Sequence, residues 1–298
     1  MESLAKVERR IASLEELLEV VTGIRGLAAA RAHQTIRLLE GARAHAAVVA
    51  EALRACASLL PEAAGAVEAG LAEAGRARGA QGERVVVVLG SEQGFVGGFN
   101  EQLWDAAAPA LGVGLAPPAR LLVAGTRGVR AANERGIEPA WTTRMATRAQ
   151  GVLAVARRIA AETYASDVAS VEVFFQAGRR LGERRVERLR LLPLDLAAYA
   201  HGRAGELPPL RNLPREELLR RVVGEYVLAE LVRAATESFA SENAARLAAM
   251  TAAHESVERK LEELGRRAAQ LRQDEVTTEL LDVITGVEAL RGEGEDRE

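Results

Sequence analysis

Apolar side chains recur at alternating steps of three and four at both ends of the chain. Near the N-terminus the series is Leu4, Val7, Ile11, Leu14, Leu18 and Val21. Near the C-terminus it is Leu247, Met250, Val257, Leu261, Leu264, Ala268 and Leu271. A repeat close to 3.5 residues is the seam of a coiled coil. All nine prolines fall between Pro61 and Pro214, so neither end carries the residue that breaks helices. The pattern predicts helices over 2–57 and 213–289, roughly 80 Å and roughly 115 Å long at the helical rise per residue. On the N-terminal helix the seam continues as Arg25 and Ala28. Pairing should loosen there, or that face should turn to something other than the partner helix. His254 falls within the second seam; no partner ligand stands at helical spacing, so it reads as a tolerated seam residue and not a metal ligand.

The middle of the chain has a different period. Arg84–Gly90 (RVVVVLG) is a continuous β-branched run, the mark of a strand buried on both faces. Residues 120–124 and Ser170–Gln176 read as two further strands, and Arg184–Leu196 as a fourth. Helical stretches over 99–111, 126–135 and 147–165 separate them. Strand alternating with helix is the pattern of an open sheet with helices packed on it. The expected fold class is therefore α/β: a long antiparallel coiled coil of N- and C-terminal helices with an inserted open α/β (Rossmann-like) domain. The expected division is 1–60, a coiled-coil helix; 61–212, the inserted domain with its Gly- and Pro-containing connections; 213–290, the second coiled-coil helix; and 291–298, a disordered polar tail. No internal repeat is visible.

Composition narrows the classes. Charged residues make up 27% and the net charge is −3, which does not suit a nucleic-acid arm. Aromatics are only 3%, with Ala and Leu dominant, as in long helices. Nearly all basic residues are Arg; Lys6 and Lys260 are the only lysines. Cys56 is the single cysteine, so no internal disulfide can form, and its Ala-rich setting reads as structural. No apolar run approaches the ~20 residues needed to span a bilayer, and the N-terminus opens on mixed-charge helical sequence without a secretory apolar core. The expectation is a protein made and kept in the cytosol.

Gly90–Asn100 (GSEQGFVGGFN) follows a strand and opens a helix, where dinucleotide folds hold phosphate. The spacing of Gly90, Gly94, Gly97 and Gly98 does not give G-x-G-x-x-G, no Lys-Ser/Thr pair follows, and no acidic residue closes a second strand about 20 residues on. Gly94, Gly97 and Gly98 read instead as structural glycines of a tight turn that lets a helix approach the sheet. The histidines His33, His45, His201 and His254 are isolated, and no G-x-S-x-G occurs. The carboxylates mostly stand beside Arg on helix faces, as solvated pairs do. The charge run Arg179–Arg190 alternates sign, so it reads as an exposed strand or hairpin. No catalytic residue, cofactor or metal site is expected.

SENAARLAAM (Ser241–Met250) and RQDEVTTELLDVITGVEAL (Arg272–Leu290) closely resemble the C-terminal helix of F-type ATP synthase gamma subunits. SEQGFVGGFN resembles that family's S-D-R-G-L-C-G-G-L-N turn, and RIASLEELLEVVTGIRGLAAAR lies without gaps on its N-terminal helix, matching at Ile11, Ser13, Ala28 and Ala29. The resemblance covers essentially the whole chain. It implies a rotor shaft: two helices inside a ring of three alpha and three beta subunits, and an α/β domain at the foot with the epsilon subunit, against the membrane rotor ring. It implies coupling of ion flow to ATP synthesis or hydrolysis at alpha–beta sites, no catalytic group in the shaft, and a peripheral position on the cytoplasmic face of the bacterial inner membrane. Arg272 and Gln273 match the family's pair that hydrogen-bonds to a loop of one beta subunit, and Thr277 and Glu279 match polar positions nearby.

The chain also departs from that pattern. Glu15, Glu16 and Glu19 stand where the family is rich in Lys, and its A-M-x-M-V-A reads Gly23-Ile24-Arg25-Gly26-Leu27-Ala28. Two glycines within a helix cost about 1 kcal/mol each relative to Ala. Beside the rotor reading stand a nucleotide-dependent α/β enzyme using the glycine turn, and a generic coiled-coil scaffold using only the helices.

Overall fold

The computed structural model describes residues 3–58, 82–112, 118–164, 168–178, 185–194 and 211–295. The elements are α1 (Leu4–Ser58), β1 (Glu83–Leu89), α2 (Phe99–Ala107), β2 (Arg120–Ala124), α3 (Thr126–Asn133), β3 (Trp141–Thr143), α4 (Val152–Thr163), β4 (Val168–Ala177), β5 (Arg185–Leu192) and α5 (Arg215–Glu295). Short 3-10 turns at Ala108–Leu111 and Ala149–Gly151 extend the ends of α2 and α4. Most of the two expected connections, 61–82 and 197–212, and residues 179–184 of the charge run lie outside the described residues. Pro214 immediately precedes α5, and its carbonyl accepts from the Leu218 N–H (3.0 Å). At the other end α5 continues through Arg291 to Glu295, where a disordered tail was expected; residues 296–298 lie outside the description. No proline is present there to end the helix, which runs on through Gly292 and Gly294 although each is unfavourable by about 1 kcal/mol relative to Ala.

The chain forms two compact units, one of Met1–Leu27 with Met250–Glu298 and one of Ala28–Ala249. In the second, five strands form one sheet in the order β3-β2-β1-β4-β5. β1 to β4 run parallel, and β5 pairs antiparallel to β4 at an edge. The valine run occupies the centre of the sheet, and the pleat sends alternate side chains to opposite faces. Val85, Val87 and Leu89 enter a core with Val152, Val155 and Ile159 of α4 and Val227, Leu231 and Phe239 of α5. Val86 and Val88 enter the other, with Phe99, Leu103 and Trp104 of α2 and Ala131 and Ala132 of α3. Burial on both faces is why this strand carries no polar alternation. β3 was not anticipated: it is three residues long and joins through the pairs Leu122↔Trp141 to Ala124↔Thr143. The expected alternating strand is β5, exposed at its edge, with Arg188 paired to Glu172 (2.6 Å) and lying over the Phe174 ring.

α1 and α5 also pair within this unit. Ala46, Val49, Leu53 and Cys56 pack on Leu219, Tyr226 and Ala229, and Arg43 reaches Glu237 at 3.1 Å. Burial pushes the Cys56 thiol upward from its ordinary value, away from the thiolate that reactivity needs. Ala28, where the seam loses its large side chains, is buried.

In the other unit the two helices meet along the expected seam. Val7, Leu264 and Ala268 are buried together, with Leu4, Ile11, Leu14 and Leu271 packed around them. Glu8 pairs with Arg272 (2.7 Å) while Leu14 lies beside Lys260 and Leu264, so the helices run antiparallel. Leu18 is half-buried and stands outside that cluster, whereas Val21, Met250 and Val257 are buried. Glu15, Glu16, Glu19, Gly23 and Gly26 are exposed, and a Cβ on either glycine would meet no atom within 4 Å.

The close approaches lie in the sheet domain. A Cβ on Gly90 would fall 2.6 Å from the Gly128 Cα, and one on Gly125, whose φ is +104°, 2.4 Å from the Gly90 carbonyl oxygen. Gly125→Ala is expected to lower the unfolding free energy by about 2 kcal/mol or more, since both overpacking and a positive φ oppose it. Gly265→Ala, in an exposed turn of α5 with open space around it, should raise it by about 0.5–1 kcal/mol. Chemical denaturation followed by circular dichroism checks both signs; an unchanged midpoint for Gly125→Ala would refute the packing account.

Candidate functional site: the clamped turn and the bare end of the long helix

The turn after β1 is closed by its own ends. The Ser91 N–H donates to Asn100 Oδ1 (3.0 Å) and Asn100 Nδ2 donates to Ser91 Oγ (2.9 Å), both buried. Between them Phe95 takes φ +61° and Gly97 φ +58°. Of the three glycines expected to shape this turn, Gly97 has the left-handed backbone. Gly94 would place a Cβ in ordinary contact with Arg127 (3.6 Å), and Gly98 one at 4.0 Å from Glu101. The close helix approach rests on Gly90 and Gly128 instead.

Two side chains of α5 fix the turn's backbone. The buried carboxylate of Glu242 accepts from the amides of Glu92 (3.1 Å) and Gln93 (3.2 Å). Arg246, also buried, donates to the carbonyls of Gln93 (3.2 Å) and Gly94 (3.1 Å) and to Glu242 (2.6 Å). One turn earlier, Ser238 Oγ donates to the Leu89 carbonyl (2.8 Å). Glu92 in turn accepts from Thr126 N–H (3.0 Å), Thr126 Oγ1 (2.8 Å) and Met145 N–H (2.9 Å), a carboxylate at the N-terminus of α3, where the helix dipole favours it. The amides of Glu92 and Gln93, which a phosphate would need, are therefore already bound to a carboxylate. The sequence reading did not find Glu242 and Arg246 as a unit. A Glu/Arg pair four apart is spelled like a solvated helix pair, and only the tertiary contacts mark this one as buried.

The candidates on the far part of α5 lie in the other unit. Arg272, Gln273, Thr277 and Glu279 are all exposed. Arg272 donates to Glu8 (2.7 Å) and Thr277 Oγ1 to the Gln273 carbonyl (2.8 Å). At about 100° per residue, Arg272 and Glu279 share one line along the helix and Gln273 and Thr277 a second. Val276, Leu280, Val283 and Ile284, each more than half exposed, run between and beside those lines. That spacing, i, i+4, i+7 and i+8, is an amphipathic stripe, and nothing among the described residues covers it.

Burial pushes the Glu242 carboxyl above its ordinary range, opposed by Arg246 and the two turn amides. Arg246→Leu removes the counter-charge and should cost about 3–5 kcal/mol near neutral pH, the usual penalty for orphaning a buried charge. The unpaired carboxyl then holds its proton in the fold more tightly than in the unfolded chain. Its contribution is retained at low pH and lost as pH rises through the raised folded value. The variant's deficit should thus be smaller at about pH 5 than at about pH 8, and Glu242→Gln should recover part of it at the higher pH. Urea unfolding at both pH values reads this; a deficit independent of pH would remove the carboxylate from the account.

Among the described residues, no cluster of His, Cys, Asp and Glu is arranged to hold a metal ion, and no helix is long and apolar enough to cross a membrane. The ATP synthase family model matches residues 3–290. The ATP synthase gamma chain of Anaeromyxobacter dehalogenans is 28% identical over 296 residues, covering 97% of this chain and 100% of the relative. That of Solibacter usitatus is 23% identical over 292 residues, covering 97% and 99%. Among solved structures, a chain from the OSCP/F1/c-ring of the Euglena gracilis mitochondrial ATP synthase in rotational state 3 shares the fold, with a TM-score of 0.65, 13% identity and coverage of 97% and 95%. A second Euglena gracilis structure, of the rotor in rotational state 1, superposes with a TM-score of 0.62 over 92% of this chain and 98% of the other at 12% identity. With a family model spanning nearly its whole length and relatives matched from end to end, the chain belongs to the gamma-subunit family of F-type ATP synthases.

Proposed function

We propose that this chain is the central-stalk rotor subunit of a bacterial ATP synthase, coupling ion flow through a membrane sector to ATP synthesis or hydrolysis on other subunits. The observation that carries the reading is the bare end of α5. Val276, Leu280, Val283 and Ile284 form an exposed apolar stripe flanked by Arg272, Gln273, Thr277 and Glu279. An amphipathic helix whose stripe no described residue covers is suited to enter a partner. In this reading the partner is a ring of three alpha and three beta subunits; the sheet domain stands at the foot with an epsilon subunit and the membrane rotor ring, peripheral to the cytoplasmic face of the inner membrane. The shaft itself is non-catalytic. It acts by contacting the ring differently in each rotational state, because a contact equal in all states shifts no equilibrium. The three segments 1–60, 61–212 and 213–290 then serve as shaft, foot and shaft.

The test is reconstitution of the full chain with co-expressed alpha and beta subunits. Arg272→Ala with Gln273→Ala should lower coupled ATP turnover while leaving helicity unchanged. Each lost charge-assisted hydrogen bond to the ring is worth about 1.5–3 kcal/mol when buried there. The pair that Arg272 makes with Glu8 is exposed on both sides, so its loss should change stability by only about 0–1 kcal/mol. Wild-type turnover and ion pumping in the double variant would leave these residues as ordinary surface groups. Failure of the chain to co-purify with the ring would sink the rotor reading itself.

A further inference from the structure

At the end of α2 a cleft of about 220 Å³ opens on the sheet. Ala106, Pro109 and Ala110 form one wall, and Val86 and Phe174 form the other. Three polar side chains join them there. Arg84 stands opposite Ser170 in the parallel register, and Val86 opposite Glu172, so all three lie on one face of the pleat. Glu172 is already engaged: Arg188 donates to it (2.6 Å) and lies over the Phe174 ring, which leaves that side of the cleft neutral. Arg84 is different. Half-buried, it donates from Nη2 to the Ala110 carbonyl (2.7 Å), a neutral acceptor. No carboxylate pairs with it among the described residues, and the neighbouring Glu83 lies against Arg120 instead (3.7 Å). A guanidinium has five N–H donors, and this one uses a single one. The Ser170 hydroxyl, half-buried beside it, also has no partner among the described residues. Two neighbouring donors therefore face a cleft with apolar walls, and one of them carries a charge that nothing described offsets.

We propose that this cleft binds a small carboxylate with a short apolar body. Its oxygens accept from Arg84 and Ser170, and its carbon chain lies against Val86, Phe174 and Ala106. The inference goes beyond the rotor reading and does not depend on it. A few convergent polar groups on apolar walls are the usual make-up of a small-molecule site. The cleft is smaller than the roughly 300–1,000 Å³ that holds drug-sized molecules, so the occupant is small. A planar carboxylate matches the guanidinium fork. An amine is a poorer fit, because the carboxylate in the cleft is taken by Arg188. So is inorganic phosphate. It brings nothing to the apolar walls, and the amides of β1 and β4 are spent on the sheet ladder, which leaves no amide nest of the kind that phosphate sites use.

The test is calorimetric titration of the full chain with hexanoate as the probe, beside hexanamide and hexylammonium, which share its chain but not its charge. Hexanoate should bind saturably at millimolar concentrations. Hexanamide should bind at least about tenfold more weakly, as the loss of a charge-assisted hydrogen bond entails. Arg84→Gln should weaken hexanoate by a similar factor and leave hexanamide unchanged. Because Arg84 also holds the Ala110 carbonyl, a second variant keeps the test independent of folding. Ala106 is exposed on α2, and Ala106→Leu fills the cleft with a good helix former while keeping Arg84. It should abolish binding of hexanoate with circular dichroism and thermal midpoint unchanged. Equal binding of hexanoate and hexanamide, wild-type affinity in Ala106→Leu, or no saturation at millimolar concentrations overturns the proposal. So does binding that vanishes when the chain assembles with its partner subunits, which would assign the cleft to an acidic side chain of a partner.

Discussion

The arrangement of the sheet domain depends on one buried ion pair. Glu242 and Arg246 sit one turn apart on α5, inside the protein, and between them satisfy two amides and two carbonyls of the turn that follows the central strand. Burying two charges is expensive, and attraction alone repays it only with good geometry and further hydrogen bonds. Here those bonds come from backbone that an irregular turn leaves unpaired. The turn needs the pair because Phe95 and Gly97 hold left-handed conformations that supply no regular ladder. The pair needs the turn because no solvent reaches it. Glu92, its amide held by Glu242, reaches on to the start of α3 and the backbone of Met145. One helix therefore fixes the C-terminal ends of β1 and β2 and the loop after β3 through a single connected set of bonds.

α5 itself changes partner along its length, and its side chains change accordingly. From Val227 to Phe239 it presents apolar side chains to the sheet. At Ser238, Glu242 and Arg246 it presents hydrogen-bonding groups to the turn. From Leu264 to Leu271 it offers a narrow seam to α1. Beyond that no described residue packs on it, yet apolar residues continue. No uniform amphipathic pattern serves three such neighbours and an uncovered stretch, which is why α5 has no single apolar face from end to end.

Much of this was legible in the sequence, for reasons particular to each element. The valine run of β1 was readable because a strand buried on both faces needs no polar residue, and the terminal seams because two helices in contact repeat close to 3.5. β3 was not readable: Trp141-Thr142-Thr143 is too short to carry a period, and it is a strand only because β2 lies beside it. The clamp was hidden because a buried Glu/Arg pair four apart has the same spelling as a solvated one. Gly125 and Gly128 were missed because the constraint on them lies at Gly90, far away in sequence. For the same reason the glycine turn invited a phosphate reading; that its amides were already bound to Glu242 is a fact of tertiary structure.

The contrast between the clamp and the bare end of α5 follows from what a shaft must do. Within the sheet domain the bonds are buried, charge-assisted and mutually supporting, so the turn and the helix resist being pulled apart. On the outer part of α5 the described polar groups are exposed, and the ion pair of Arg272 with Glu8 is of the kind worth about 0–1 kcal/mol. A surface that must leave one partner and meet the next in each step cannot carry deep, buried contacts, because each would become a barrier as large as the contact is strong. What such a surface needs is small differences between successive positions, since only differential contact free energy shifts the partner's equilibrium. Scattered exposed side chains provide such small differences.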